Sequence, residues 1–273
     1  MKFSCLYPLH YESKLHDVRV RFESIINQSL KANEIFIIFD GPIKKEVILF
    51  LQKFKKKNKI KIIKFKKNLG LGRVLKKAIK LTKYEIIIRA DSDDINKKSR
   101  FKNLINFFKK NPDVHVVSSL IKEKSFKEYF VKKLPLNHNE ILRIKNFKNP
   151  INHPAVAFKK KAVLKSGGYE DVPYFEDYFL WLKMINKNFK FKNINKVLVE
   201  SKINQNFYTR RYGFKDFKNY LFFLNKIYSK NYINIFEYVI NFVIRLFVYI
   251  LPLEFIVFFY KNLNNRKKYD WDL

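Results

Sequence analysis

The sequence predicts an α/β fold, with a mainly parallel sheet, helices on both faces of that sheet and a helical C-terminal appendage. Short apolar runs alternate with segments of helical periodicity through the first hundred residues. Acidic residues follow two of the apolar runs, where the carboxyl ends of parallel strands would meet. From Phe214 onward the chain is aromatic and apolar. These three observations favour one α/β domain over residues 1–212 and a separate helical region over residues 213–273.

Each element is predicted from hydrophobic periodicity and from the turn residues that bound it. Apolar runs predict strands at residues 3–7, 34–39, 59–65, 85–89 and 114–118, with a further strand-like stretch at 155–158. Helical spacing predicts helices at residues 15–30, 43–57, 71–81, 101–110 and 178–185, with a short helix before Ser166. Residues 121–150 are rich in Lys and Asn and are expected to be irregular.

Composition narrows the class of protein. The chain has 273 residues, 47% hydrophobic and 17% aromatic, which is enough for a full core and excludes wholesale disorder. Its 57 Lys and Arg against 24 Asp and Glu give a net charge of +33. That excess either attracts polyanions or reflects the coding bias of an A/T-rich genome. Cys5 is the only cysteine, which excludes an intrachain disulfide, and no secretory signal is apparent, so we expect a cytoplasmic protein.

The segment Asp91-Ser92-Asp93-Asp94 is the strongest chemical signal in the chain. It directly follows a predicted buried strand, so Asp91 and Asp93 should point the same way. Carboxylates packed this closely repel each other unless a cation lies among them. Their oxygens suit Mg²⁺ or Mn²⁺ that also binds a diphosphate. A turn with a helix N-cap is the plainer alternative, and Asp94 is expected to be structural.

Eight motifs occur in order along residues 3–200 and together are far more specific than any one alone. They are Leu6-Tyr7-Pro8-Leu9-His10-Tyr11, Ser24-Ile25-Ile26-Asn27-Gln28-Ser29, Phe39-Asp40-Gly41-Pro42, Asn68-Leu69-Gly70-Leu71-Gly72, Arg89-Ala90-Asp91-Ser92-Asp93-Asp94, Asn152-His153-Pro154, Gly167-Gly168-Tyr169 and Glu176-Asp177-Tyr178-Phe179-Leu180-Trp181. This series resembles family 2 glycosyltransferases, which have the Rossmann-like GT-A fold. The resemblance is closest to the bacterial branch that builds capsule, exopolysaccharide and lipooligosaccharide.

The resemblance implies an activity: inverting, metal-dependent transfer of a sugar from a nucleotide-diphosphate donor, expected to be a UDP-sugar, to a hydroxyl of a glycan or lipid-linked acceptor. Asp91 and Asp93 match the DxD element, with Asp93 as the direct ligand of Mn²⁺ or Mg²⁺ and Asp91 on the ribose or the metal. The residues it places around the donor nucleotide are Pro8, His10, Asp40, Asn68 and Gly70.

The same resemblance places Asp177 as the catalytic base, with Glu176 as its acidic neighbour. Contacts of His153 and Trp181 with the acceptor are further hypotheses, set against an ordinary loop histidine and a tryptophan of the core. The chain departs from the family at Lys76 or Lys77, where Asn is common, and at Leu9-His10, where Tyr or Thr is frequent. These departures leave the identity of the donor open.

The C-terminal region is expected to contact a membrane. Its densest apolar part, Tyr238 to Tyr260, is broken by Arg245, Pro252 and Glu254, so no uncharged run reaches the length of about 20 residues that spans a bilayer. We expect a broken helical hairpin lying on the inner face of the cytoplasmic membrane, with residues 266–268 near anionic headgroups. Helices that complete the core or form a dimer contact are the alternative.

Two other functions compete with sugar transfer. A sugar nucleotidyltransferase would need a Gly-rich loop after the first strand, and residues 7–13 contain no glycine. A basic nucleic-acid-binding protein would concentrate its lysines along one stripe. The lysines here are spread evenly and the aromatic residues fall at core-like spacing, so no nucleic-acid partner is expected.

Overall fold

A computed structural model of the chain describes residues 1–54, 59–125, 128–203, 213–252, 255 and 266–268. The strands are β1 Phe3–His10, β2 Glu34–Asp40, β3 Ile60–Lys64, β4 Ile86–Arg89, β5 Asp94–Asn96, β6 Val114–Ser125, β7 Glu128–Lys132, β8 Ala157–Lys159, β9 Lys190–Ile203 and β10 Arg266–Lys268. The helices are α1 Leu15–Ile26, α2 Lys45–Gln52, α3 Leu71–Leu81, α4 Arg100–Lys110, α5 His138–Ile144, α6 Lys160–Lys165, α7 Glu176–Ile185, α8 Phe214–Ser229 and α9 Ile235–Ile250, with a 3-10 turn at His153–Ala155.

The sheet has a parallel half and a mixed half. The first half consists of four parallel strands in the order β3-β2-β1-β4. Beside β4, the strands β8, β6, β7 and β10 follow in antiparallel pairs, while β9 runs parallel to β6 and antiparallel to β5. The predicted α/β fold and its parallel nucleus are confirmed. Parallel strands end at a common edge, and this edge carries the candidate site.

Helices cover both faces of the sheet, as the sequence predicts. One core cluster joins β1 and β2 to buried residues of α1, α2 and α4, including Phe22, Leu51 and Phe101. A second cluster, on the other face, joins the sheet to α3, α6 and α7. Parallel strands buried on both faces need apolar residues at nearly every position, which β1 and β2 provide. Cys5 of β1 is fully buried in the first cluster, and burial raises the pKa of its thiol to about 12.

Residues 121–150 are not irregular, and this prediction is wrong. The strand β6 continues to Ser125, β7 pairs with it in an antiparallel hairpin, and α5 begins with a capping box between Asn137 and Glu140. The long strand β9, which the sequence analysis missed, pairs with β6 along most of its length. Lysines occur in all three strands: Lys190 and Lys196 of β9 are exposed, whereas Lys122 of β6 is buried with its Nζ over the ring of Tyr129. Composition alone therefore concealed them.

In the described residues, the C-terminal region forms a helical hairpin that begins before the predicted stretch of Tyr238 to Tyr260. It consists of α8 and α9, and α9 ends at Ile250, just before the predicted break at Pro252. Arg245 does not break the helix, because it lies inside α9 and forms an ion pair with Asp216 of α8. Among the described residues, no helix combines the length and apolarity needed to cross a bilayer.

Some predicted features fall outside the described residues. They are the end of the second predicted helix, at 55–57, and most of the apolar stretch beyond residue 252, including Glu254. The backbone of residues 266–268, expected near a membrane, pairs with β7 at the edge of the sheet.

Candidate active site

Neighbouring parallel strands bring several predicted site residues to one edge of the sheet. In the register of β1 and β2, His10 lies opposite Asp40 and the buried Pro8 lies opposite Ile38. The strand β4 pairs with the other side of β1, and Asp91 follows β4 at the same edge. Residues that are far apart in the sequence therefore line one crevice at the carboxyl ends of the strands.

Asp40 holds the loop that opens α3. Its Oδ1 atom accepts a hydrogen bond from the backbone N–H of Leu69 at 2.6 Å, and its Oδ2 accepts one from Gly70 at 3.1 Å. The Nδ2 atom of Asn68 lies 3.2 Å from Nε2 of His10. Gly70 has a φ of 87°, which glycine adopts without strain. His10, Asp40, Asn68 and Gly70 thus form one connected group, which we call the loop cluster.

The acidic segment after β4 differs in exposure along its length. Asp93 is exposed, and its Oδ1 accepts a hydrogen bond of 3.4 Å from the Ser92 hydroxyl. Asp91 is partly buried and forms an ion pair with the buried Arg89. The two carboxylates therefore meet different surroundings, because only Asp91 has a cationic side chain beside it among the residues that the structure describes.

Asp94 is structural, as expected. It lies in β5, is buried, and hydrogen-bonds Ser201 of β9. Burial raises the pKa of Asp94 to about 7, and the charge of Asp91 adds to that rise. Burial also raises the pKa of Asp91, with Arg89 opposing the rise and Asp93 adding to it. The segment therefore contains carboxylates that repel each other.

The positions of Asp91 and Asp93 fit a hard divalent cation. In the described part of the chain, no group of three or more His, Cys, Asp or Glu side chains could hold a metal by itself. Magnesium sites in nucleotide enzymes commonly use one or two carboxylates and complete their coordination with substrate phosphates and water. A cation here would relieve the repulsion between the two carboxylates. Because Arg89 already pairs with Asp91, the exposed Asp93 is the less engaged of the two carboxylates.

A second carboxylate group lies at the start of α7. The Oδ2 atom of Asp177 accepts a hydrogen bond of 2.8 Å from Nδ2 of Asn149 and lies 3.9 Å from Nδ1 of His153. On the other side of the imidazole, Nε2 lies 2.7 Å from the Tyr169 hydroxyl. Burial lowers the pKa of His153 well below its usual value, which favours the neutral ring. Burial raises the pKa of Asp177.

Glu176 links the carboxylate group at the start of α7 to α3, the helix that follows Gly70 of the loop cluster. Burial raises the pKa of Glu176 to about 7, and the adjacent Asp177 contributes to the rise. A Cβ atom at Gly72 of α3 would lie only 2.9 Å from Cγ of Glu176 and 3.0 Å from the backbone oxygen of Glu170. Only glycine allows the first turn of α3 to approach the first turn of α7 this closely.

Arg89 is a site residue to which the sequence analysis gave no role. Burial raises the pKa values of Glu176 and Asp177, and the positive charge of Arg89 opposes both rises, so its field reaches the second carboxylate group as well as Asp91. Its Nε and Nη1 atoms are buried without a hydrogen-bond partner among the described residues. The available signal was an arginine at the end of a buried apolar strand, directly before the acidic segment.

Trp181 and His153 were both hypothesised to contact the acceptor, and the structure bears differently on the two hypotheses. Trp181 is 0% exposed and its ring contacts those of Phe191 and His153 edge to face, at centroid distances of 5.9 and 6.0 Å. The structure corrects the hypothesis that Trp181 stacks on an acceptor sugar, because its ring has no exposed face. His153 is buried between Tyr169 and Asp177, and its contact with an acceptor stays a prediction.

Comparison with known proteins decides the family. The profile described as Glycosyl transferase family 2 matches residues 4–168. Over 268 residues the chain is 34% identical to the UDP-Gal:alpha-D-GlcNAc-diphosphoundecaprenol beta-1,3-galactosyltransferase of Escherichia coli, with 97% of each chain covered. The chain belongs to glycosyltransferase family 2. The resemblance seen in the sequence is thereby confirmed, and the chain is a glycosyltransferase.

Other family 2 relatives and solved structures agree with this assignment. The amylovoran biosynthesis glycosyltransferase AmsE of Erwinia amylovora is 28% identical, over 95% of this chain and 98% of that protein. The crystal structure of S. aureus TarS 1–349 superposes with a TM-score of 0.59 at 18% identity, covering 77% of this chain and 63% of that one. A mannosyltransferase from Pyrobaculum calidifontis gives the same TM-score at 12% identity, covering 77% and 59%. At these identities the two structures show the shared GT-A fold alone.

Proposed function

We propose that this family 2 enzyme is an inverting, metal-dependent glycosyltransferase of surface polysaccharide biosynthesis. Its donor would be a UDP-sugar, with UDP-galactose the first candidate, and its acceptor a hydroxyl of a lipid-linked glycan. One observation carries the proposal: Asp91 and Asp93 follow β4 at the sheet edge that carries the loop cluster, and the separate carboxylate of Asp177 lies on α7, whose first turn contacts α3 at Gly72. The E. coli relative supports it, since its name contains UDP-Gal and a diphosphoundecaprenol-linked sugar.

On the donor side, different residues would bind the nucleotide and the diphosphate of the same donor molecule. Asp40 fixes the loop of Asn68 and Gly70, which would face the nucleotide. Asp91 and Asp93 would hold Mn²⁺ or Mg²⁺, which when bound neutralises the charge that builds on the leaving diphosphate. The buried guanidinium of Arg89 adds a fixed positive charge beside Asp91, which costs no reorganisation during the reaction.

On the acceptor side, Asp177 would act as the general base. Its carboxylate takes the proton of the acceptor hydroxyl while the hydroxyl oxygen forms a bond to the anomeric carbon of the sugar. The bond from that carbon to the phosphate oxygen breaks, and UDP leaves with the electron pair. Because attack and departure occur on opposite faces, this single displacement inverts the anomeric configuration. Asn149 holds the base in place through its hydrogen bond.

We place the enzyme in the cytoplasm, peripheral to the inner face of the cytoplasmic membrane. The reason is chemical, since a UDP-sugar is water-soluble whereas a lipid-linked acceptor is confined to the bilayer. The net charge of +33 adds an electrostatic attraction toward anionic lipid.

The two carboxylate roles can be separated by one pair of variants. We expect calorimetry to show UDP-galactose binding that requires Mn²⁺ or Mg²⁺ and that weakens by roughly 100-fold or more in Asp93→Ala. Asp177→Asn should bind the donor as wild type does, while transfer to acceptor falls by about 10² to 10⁴-fold. Asp113→Ala is the matched control, because Asp113 is an exposed aspartate that precedes β6 and pairs with Lys190.

Either of two results would contradict the proposal. Undiminished, metal-free donor binding by Asp93→Ala would remove the metal role, and retained turnover by Asp177→Asn would place the base elsewhere. If UDP-galactose gives no binding, a screen of other nucleotide sugars for metal-dependent thermal shifts identifies the donor.

A further inference from the structure

A continuous apolar strip runs along α9. The side chains of Phe236, Val239, Ile240, Val243, Ile244 and Phe247 follow the i, i+3, i+4, i+7 pattern of one helix face. Each of them is between 47% and 77% exposed. We call this set the α9 strip. Large apolar side chains contiguous over three turns of a surface helix indicate a partner outside the described chain.

The opposite face of α9 already holds the helix on the protein. Asn241 is buried there: its Oδ1 accepts a hydrogen bond from the Tyr220 hydroxyl at 3.0 Å, and its Nδ2 donates to the backbone oxygen of Asn146 at 3.0 Å. Tyr238 and Phe242 pack on the cluster formed with α7 and α8. The α9 strip is therefore not needed to hold α9 in place.

Charge favours an anionic bilayer over a second copy of the chain. The two charged residues of α9 are both engaged, since Glu237 caps the helix and accepts a hydrogen bond from Asn146 while Arg245 pairs with Asp216. Two copies at +33 each would repel one another, whereas anionic headgroups would attract this protein. The exposed Lys215 and Lys218 of the neighbouring α8 add positive charge to the same hairpin.

The length of α9 sets its orientation at the bilayer. Its 16 residues are fewer than the roughly 20 that a spanning helix needs. An amphipathic helix of this kind lies in the plane of the interface, with its apolar face in the boundary between headgroups and acyl chains.

A polar bridge joins α9 to the candidate base. The segment 145–149 accepts a hydrogen bond from Asn241 of α9 at its backbone and donates one from Asn146 to Glu237 at 2.7 Å. Three residues further along, Asn149 donates to Asp177. The segment 145–149 is therefore hydrogen-bonded to both α9 and Asp177. Docking α9 on a surface would fix the position of Asp177 relative to that surface.

We propose that the α9 strip inserts into the headgroup region of an anionic bilayer and so presents Asp177 to a lipid-linked acceptor. The docking surface is argued from the contacts of α9 alone, whereas the identity of the acceptor and the role of Asp177 as the base rest on the proposed function. The partner is a lipid surface with anionic headgroups, recognised by apolar area and positive charge together.

Vesicle flotation of the full chain tests this inference. We expect wild type to float with vesicles that contain phosphatidylglycerol, and the double variant Val243→Glu/Ile244→Glu to bind them roughly 100-fold more weakly, because two side chains lose their apolar burial. The matched control is Leu49→Glu/Leu81→Glu, which places two charges at similarly exposed apolar positions, 51% and 58%, on α2 and α3. This control should float as wild type does.

Three results would overturn the inference. The strip variant could float as well as wild type, or only deletion of residues 253–273 could abolish flotation. Light scattering could instead show a wild-type dimer that the strip variant splits, without vesicle binding, which would make the strip a subunit contact. An assay of sugar transfer to a water-soluble acceptor analogue keeps the two proposals distinct. The strip variant should retain this transfer activity. If wild type itself shows no transfer, that result counts against the proposed function alone.

Discussion

Two opposing influences act on the pKa of Asp177. Burial raises it, and the hydrogen bond from Asn149 lowers it by stabilising the ionised carboxylate. Burial lowers the pKa of the nearby His153, which disfavours a positive charge on its ring. A general base must be ionised to accept a proton, so activity should fall on the acid side as the pH passes through this pKa. If Asp177 is the base, as proposed above, the acid limb of the pH–rate profile reports the surroundings of Asp177.

At the residue scale, Asn149→Ala should move that acid limb upward. Without the hydrogen bond the ionised form of Asp177 is less stable, so its pKa rises, and activity is lost at a higher pH than in wild type. We expect a shift of about one to two pH units in kcat/KM. Asn146→Ala is the control, because Asn146 lies in the same segment but bonds to α9 instead. An unchanged or downward-shifted limb in Asn149→Ala would show that Asp177 is not the titrating base.

At the element scale, the contact of α3 with α7 depends on Gly72. Alanine there would ordinarily favour the helix, because glycine is a poor helix former. In this fold the added methyl group would meet Glu176 and the backbone oxygen of Glu170 at 3.0 Å or less. The backbone oxygen of Glu170, in the loop before α7, cannot rotate away as a side chain can, so α3 would have to move away from that loop and from the start of α7.

We therefore expect Gly72→Ala to lower the free energy of unfolding by about 1–3 kcal/mol, the usual range for overpacking. Urea denaturation measures the change. Lys80→Ala, at an exposed position of the same helix, should leave stability within about 0.5 kcal/mol of wild type. A Gly72→Ala protein as stable as wild type, or more so, would mean that the two helices are not in the tight contact seen here.

The elements that could be predicted from the sequence are those with strong local patterns. The helix α3 was predicted with its observed bounds, because its apolar residues recur at helical spacing and Gly70 marks its start. The strand β9 was missed because its pairing with β6 joins residues far apart in the chain. The strand β7 forms a hairpin with the adjacent β6, and it was missed because the Lys-rich composition of this region indicated irregular structure. Arg89 illustrates the same limit at the site: its position in the sequence is plain, but its influence on Glu176 and Asp177 arises only in the folded chain.

At the scale of the whole molecule, the C-terminal hairpin shares a core with the catalytic domain. Buried residues of α7, including Phe179 and Leu182, form one cluster with Phe223, Leu224 and Ile227 of α8. The predicted boundary between residues 212 and 213 therefore does not separate two independent cores. Removing the hairpin would expose the outer face of α7, whose first turn carries Asp177.

A chain ending at residue 212 should accordingly be unstable. Loss of three fully buried apolar side chains removes roughly 5 kcal/mol or more, comparable with the total stability of many domains. Thermal unfolding should show a much lower midpoint or no cooperative transition, with aggregation visible by light scattering. A chain ending at residue 252, which keeps α8 and α9, should retain a cooperative transition. Equal midpoints for the two shortened chains would contradict the shared core.

The enclosure of Cys5 in β1 has a practical consequence for spectroscopy. With its pKa raised to about 12, this sole thiol is almost entirely protonated near neutral pH and is shielded by the sheet. Maleimide reagents should leave the native chain unmodified. A cysteine introduced at an exposed position such as Ser229 would then accept a single fluorophore, with no background and no need to replace the native residue.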